Sequence, residues 1–290
     1  LALARLLTLI ENEDRSGLES LASLYPSGGK ARLVGITGPP GSGKSTLVNR
    51  LVQHLRQVSG EPSVAVVAVD PSSPFTGGAI LGDRIRMRDL SGDPGVFIRS
   101  MASRGALGGL ARATMSVVDA LDAAGFASIL IETVGAGQAE VDIAHGAHTT
   151  IVVDAPSLGD DVQAIKAGIL EVADIVVVNK ADLSGADMAA QAIRAALDLG
   201  RTGKGRAEGW STPVLTTIAT RGDGVPQLAE ALARHQEYLQ HTGEGRSRSR
   251  ARLRAEIEAL LRERLMSQFL ASQPDGRLEQ VVDRALARQA

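Results

Sequence analysis

The run GPPGSGKST at 38–46 constrains what can stand on either side of it. A loop this short can wrap an anion only if a strand delivers the chain to it and a helix carries the chain away. RLVGIT at 32–37 is apolar and rich in β-branched residues, as a buried strand is. LVNRLVQHL, from Leu47, has apolar residues at helical spacing. Between the two, glycines leave backbone N–H groups open to a phosphate, and the helix turns its positive end toward the same anion. Gly38, Pro39, Pro40, Gly41, Ser42, Gly43, Lys44, Ser45 and Thr46 are therefore assigned to phosphate binding. Within that set, Lys44 supplies a point charge for the β- and γ-phosphates, and the Ser45 hydroxyl suits a magnesium ligand.

A second motif, NKAD at 179–182, follows the short strand IVVV at 175–178. The Asp182 carboxylate can accept from both N1–H and the 2-amino group of guanine. Adenine offers neither donor and would leave the charge unpaired, at a cost of about 2 kcal/mol or more. Lys180 can lie along the ring, and Asn179 can tie the loop back to the cradle. Many guanine sites add a Ser-Ala pair after the next strand. Here PVLTTIATRGDGV carries Ile218-Ala219, so contacts from that loop are expected from backbone N–H groups rather than a hydroxyl. GTP and GDP are the expected nucleotides, with Mg²⁺ as cofactor.

From Arg32 to about Leu239, β-branched runs alternate with amphipathic helices: 64–69, 96–100, 127–132, 150–154, 175–178 and 213–217. That alternation predicts an α/β fold of the P-loop NTPase kind, a mainly parallel sheet with helices on both faces. Ligands in such sheets sit beyond the carboxyl ends of the strands, where the motifs fall. The expected division is an N-terminal helical lead-in at 1–31, a nucleotide domain at 32–242 and a C-terminal helical arm at 243–290. The arm opens on a joint containing Gly243 and Gly245. Arg246, Arg248, Arg250, Arg252 and Arg254 follow, read as a solvated face or an anion-binding surface. Leu253, Ile257, Leu260, Leu261, Leu265 and Phe269 then recur at helical spacing, as expected of a surface that packs on a second subunit.

Composition narrows the alternatives. Aromatic residues make up 2% of the 290, too few for a base-stacking platform, and the net charge of −2 gives no field that draws nucleic acid or membrane. The chain has no cysteine, so disulfides and thiolate metal sites are excluded. No apolar run approaches the ~20 residues of a spanning helix. LALARLLTLIENED lacks the charged head of a secretory signal, and also an initiator Met, consistent with a missing native N-terminus. A cytoplasmic protein is expected, or one of the mitochondrial matrix if the source is eukaryotic.

Metal and water positioning require carboxylates near the γ-phosphate. Asp70 ends the strand after the cradle helix, Asp83 lies in AILGDRIRM, and Glu132 ends ASILIE; each stands where a strand-to-loop junction can turn it toward Mg²⁺. Glu132-Thr133-Val134-Gly135 occupies the place of an Asp-x-x-Gly switch, with the Gly135 N–H available to sense the γ-phosphate. Gln138 is a candidate for orienting water, and Arg104 or Lys166 for transition-state charge. None is a strong general base, so slow intrinsic turnover that a partner accelerates is expected. His145 and His148 have the spacing of a metal pair but lack a third ligand nearby, and are read as loop or helix residues.

GPPGSGKST, DPSSPFTGGAILGDRIRM, RSMASRGALGGL, ETVGAGQAE and PSLGDDVQAIKAGILEVADIVVVNKAD together resemble the MeaB / ArgK / methylmalonic aciduria type A GTPases, from about Ala2 to past Gly224. The resemblance implies a dimeric G-protein chaperone for an adenosylcobalamin-dependent acyl-CoA mutase, usually methylmalonyl-CoA mutase. Such a protein gates cofactor loading and removal of damaged cofactor. It implies that Ser45, Asp70, Asp83 and Glu132 surround magnesium. It also implies that the segment with Gly159, Asp160, Asp161, Gln163 and Lys166 is a third switch facing the mutase. Two other classes stand against this reading. One is a kinase, since some relatives were described as amino-acid transport kinases; the other is metal delivery, disfavoured by the lack of Cys and of a His-rich tract.

Overall fold

A computed structural model describes residues 2–58, 60, 62–71, 90, 92–103, 109–133, 146–156, 167–202, 209–274 and 276–288, with the backbone alone at a few of them, Asp70 included. Seven parallel strands form one sheet among the described residues. In chain order they are β1 (Arg32–Thr37), β2 (Val64–Pro71), β3 (Val96–Ser103), β4 (Ser128–Thr133), β5 (Thr149–Asp154), β6 (Ile175–Val178) and β7 (Val214–Thr216). Their spatial order is β3-β2-β4-β1-β5-β6-β7, which puts β1, the strand leading into the cradle, at the centre. A strand buried on both faces needs apolar residues at consecutive positions, as at 33–34 in β1, 129–131 in β4, 151–153 in β5 and 175–178 in β6.

Alternation along each strand sorts the core into two faces. Val34, Ile36, Val66, Leu130, Ile151 and Val177 point toward α3 (Lys44–Gln57) and α7 (Val225–Thr242), where Leu47, Leu51, Leu228 and Leu232 meet them. Leu33, Ala65, Val67, Ile129 and Ile131 point the other way, onto α4 (Gly109–Ala123) through Val117, Val118 and Leu121. Beside that second cluster, Val152, Val176 and Val178 cover α6 (Ala186–Thr202) through Ala186, Ala190 and Ile193. A short helix, α5 (Ala167–Glu171), precedes β6.

The lead-in consists of α1 (Ala2–Glu11) and α2 (Arg15–Leu24), followed by a 3₁₀ turn at Tyr25–Ser27. It is part of the core, because Leu7 and Ile10 are fully buried in the α4 cluster. Arg99 of β3 pairs with Glu11, and Asp122 of α4 accepts backbone N–H groups from Gly29, Lys30 and Ala31. These contacts pin both ends of the segment against the domain.

Residues up to Arg248 form one compact unit and those from Ser249 a second. The boundary falls inside α8 (Glu244–Ser272), which starts directly after Gly243; Gly245 is helical rather than part of a joint. In the second unit, the rest of α8 and α9 (Arg277–Leu286) expose Ile257, Leu260, Leu261, Leu265 and Phe269 on the one and Leu278, Val281 and Val282 on the other. Arg254 pairs with Glu258 one turn on, at 2.9 Å.

Candidate functional site

The cradle stands at the carboxyl end of β1 and opens α3. Gly38 has φ +138° and lies so close to β5 that a Cβ would collide with the Val153 carbonyl. The Lys44 ammonium is buried within the loop, donating to the carbonyls of Gly38 at 2.8 Å and Pro39 at 2.9 Å. Gly41 lies open at φ +78°, Ser42 is buried, and Pro40 and Thr46 are exposed. The result is a loop closed around its own lysine at the positive end of a long helix, the arrangement an oxyanion requires.

The alternation that faces Leu130 toward α3 also faces Glu132 that way. Its Oε1 accepts from the Ser45 hydroxyl at 2.6 Å, so two of the four expected metal ligands meet. A hydroxyl and a carboxylate beside a phosphate cradle are hard oxygen donors, which fits magnesium. The side chain of Asp70 and all of Asp83 lie outside the described residues, and no cluster of three acidic or imidazole groups suited to a metal occurs among the described ones. On the next residue, Thr133 donates its hydroxyl to that of Thr37 at 3.1 Å, joining β4 to the last residue before the cradle. Burial pushes the Asp154 carboxyl up from its ordinary range, opposed by a hydrogen bond from the Ala155 backbone.

Asn179 ties three segments together. Its Nδ2 donates to the Ser42 carbonyl at 2.8 Å, while Oδ1 accepts from the Thr217 hydroxyl and the Ala219 N–H, each at 3.0 Å. The Ile218 N–H goes to the Asp223 carbonyl at 3.0 Å. Both amides of the Ile218-Ala219 pair, expected to be available to a base, are therefore engaged within the protein. Lys180, at φ +57°, and Asp182 stand exposed on the loop after β6. Arg104, Gly135, Gln138, His145, Gly159, Asp160, Asp161, Gln163 and Lys166 lie outside the described residues. His148 holds the start of the sheet, accepting the Leu33 N–H on Nδ1 at 3.2 Å.

The family model for the methylmalonyl-CoA mutase-associated GTPase MeaB matches residues 3–274. The chain belongs to the MeaB family. A Pyrococcus abyssi protein provisionally named a GTPase is 48% identical over 283 residues, covering 98% of this chain and 86% of that one. GTPase ArgK of Escherichia coli is 35% identical, over 83% of this chain and 73% of that one. A crystal structure of a LAO/AO transport system kinase superposes with a TM-score of 0.75 at 25% identity, covering 99% of this chain and 88% of that one. In this MeaB-family chain, therefore, the phosphate cradle and the NKAD loop belong to a G protein of a GTPase family.

Two features escaped the sequence reading. Arg50 of α3 donates to the carbonyls of Ala219 and Thr220, a contact no motif announces. At the amino end of the sheet, Arg248 leaves the arginine run and turns inward, placing both terminal nitrogens on Asp174 at 2.8 and 2.9 Å. Asp174 also accepts the Thr150 N–H, and His235 lies fully buried beside it, with Nδ1 2.8 Å from the Thr149 hydroxyl. Trp210 donates to the Asp174 carbonyl and packs against His235, the two rings tilted with centroids 4.6 Å apart. The charge cluster fastens α7 and the first turn of α8 to β5 and β6.

Proposed function

We propose that this chain is a GTP-hydrolysing G protein that gates adenosylcobalamin loading into an acyl-CoA mutase of the methylmalonyl-CoA mutase kind, and protects that enzyme. The observation that carries the nucleotide half is the Asn179 bridge. One amide spans the cradle at Ser42 and the loop at 217–219, so phosphate and base are read by segments that share a residue. The mutase half rests on the family and on the long match to its model.

In this reading Asp182 accepts from the guanine edge, Lys180 lies along the ring, and the cradle from Gly38 to Thr46 holds the phosphates. Ser45, Asp70, Asp83 and Glu132 would hold Mg²⁺, which when bound neutralises charge on the β- and γ-phosphates. Lys44 exchanges the Gly38 and Pro39 carbonyls for phosphate oxygens, and the ammonium then favours the charge that builds as the terminal phosphate departs. Gly135, Gln138 and Lys166 are assigned to sensing the γ-phosphate, orienting water and supplying charge. Turnover is slow alone and rises when the mutase binds.

The division into a lead-in at 1–31, a nucleotide domain at 32–242 and an arm at 243–290 belongs to the same proposal. Exposed Ile257, Leu261, Leu265 and Phe269 support an arm that pairs with a second copy, since such a stripe loses contact with water only by packing. Among the described residues no helix is long and apolar enough to cross a membrane, and the proposed setting is the cytoplasm, or the matrix in a eukaryote.

A second reading, phosphoryl transfer to an acceptor, is favoured by the name of the transport system kinase. γ-Labelled GTP separates the two: label released as inorganic phosphate supports the G protein, and label carried on a small molecule or protein supports the kinase. Capture of the mutase in the GTP- and GDP-bound states, with turnover measured on the complex, tests the partner. Equal turnover with and without the mutase contradicts it.

A further inference from the structure

We infer that Arg50 is a positioning residue for base recognition, holding the loop after β7 in register with the phosphate cradle; this rests on the guanine-nucleotide reading above. Arg50 lies on the helix that Lys44 opens. Its Nε donates to the Ala219 carbonyl at 3.3 Å and Nη2 to the Thr220 carbonyl at 2.9 Å. Nη1 is held by Gln53 Oε1 at 3.1 Å, one turn further along the same helix. A planar guanidinium in this position grips two consecutive peptide carbonyls at once, which a lysine ammonium cannot do with the same geometry.

The contacts close a ring. Ser42 of the cradle meets Asn179, Asn179 meets Ala219, Ala219 meets Arg50, and Arg50 returns through α3 to Lys44 and Ser42. Ala219 is gripped on both sides, its N–H by Asn179 and its carbonyl by Arg50, and it is buried. With isoleucine at 218 no hydroxyl stands at that position, and the one the loop spends on Asn179 belongs to Thr217. Arg50 orients it from outside, through the backbone. The loop is therefore placed before the base arrives, and binding does not have to order it.

The test uses the full chain, with GDP, ADP and inorganic tripolyphosphate as titrants, in wild type, Arg50→Ala and Arg50→Lys. Tripolyphosphate reports the cradle alone. Arg50→Ala is expected to weaken GDP roughly tenfold, the scale of losing charge-assisted hydrogen bonds, and to leave tripolyphosphate within about twofold. Arg50→Lys is expected to recover only part of the loss, with the thermal midpoint showing that all three proteins are folded. An unchanged GDP affinity in Arg50→Ala, or an equal loss for GDP and tripolyphosphate, overturns the assignment. A wild type that does not prefer GDP to ADP overturns instead the base reading on which it stands.

Discussion

Asn179 occupies the space that a side chain on Gly43 would need. Gly43 has φ +90°, and a Cβ built there would collide with Asn179 Nδ2, the atom that donates to the Ser42 carbonyl at 2.8 Å. The cradle's last glycine is thus required twice, once by its backbone conformation and once by the base-side loop that leans on it. Gly43→Ala is expected to displace Asn179 and weaken GDP at least tenfold in calorimetry, while the far-ultraviolet circular dichroism spectrum stays that of the wild type.

Glu132→Gln keeps an acceptor for the Ser45 hydroxyl but removes the charge suited to a metal. Single-turnover GTP hydrolysis is expected to fall roughly 10–100-fold and to need more magnesium, the scale found when the shell around a metal is altered. GDP affinity without magnesium should hold. Unchanged hydrolysis would remove Glu132 from the proposed metal site.

Arg248→Ala leaves the buried Asp174 carboxylate without its guanidinium. Breaking a buried pair costs about 3–5 kcal/mol, and because Arg248 is itself 29% exposed the lower end applies. The thermal midpoint should drop by roughly 6–10 °C. GTP affinity should be unaffected, because Thr149, Thr150 and Asp174 stand at the amino ends of β5 and β6, away from Lys44 and Asn179.

Stability should also depend on pH through His235. Burial lowers its pKa, opposed by the Asp174 carboxylate and reinforced by Arg248. An unfolded imidazole titrates at about 6.5 and so takes up its proton first as pH falls. The stability due to neutral His235 is therefore complete above about 6.5 and is lost as pH falls from there toward the lower folded value. Thermal midpoints between about pH 5 and 8 should show this loss, and His235→Phe should flatten that part of the profile.

Much of this arrangement is legible in residue order. Strands buried on both faces are largely apolar and rich in β-branched residues, so RLVGIT and IVVV fall where the sequence places them, as 32–37 and 175–178. Cradle and reader are legible for the same reason: both sit at strand ends, where the chain must turn. Other contacts depend on distance in space alone. Arg50 is an ordinary helical arginine in the sequence, and only folding brings it to residues 219 and 220. The five arginines from 246 to 254 alternate every second position, which on a helix scatters them around the axis. Arg248 is the one that meets Asp174, 74 residues earlier in the chain. Leu7 and Ile10 mark an amphipathic helix, but nothing local says that α4 covers it.

In the proposed function one site reads guanine and phosphate together. Calorimetric titration of the chain with GDP and ADP, and with non-hydrolysable GTP and ATP analogues in magnesium, checks this. Saturable binding of both guanine nucleotides with at least a hundredfold preference over adenine is the expected result, and Asp182→Asn should shift that preference toward xanthine nucleotides. Adenine nucleotides binding as tightly as guanine ones would contradict the account.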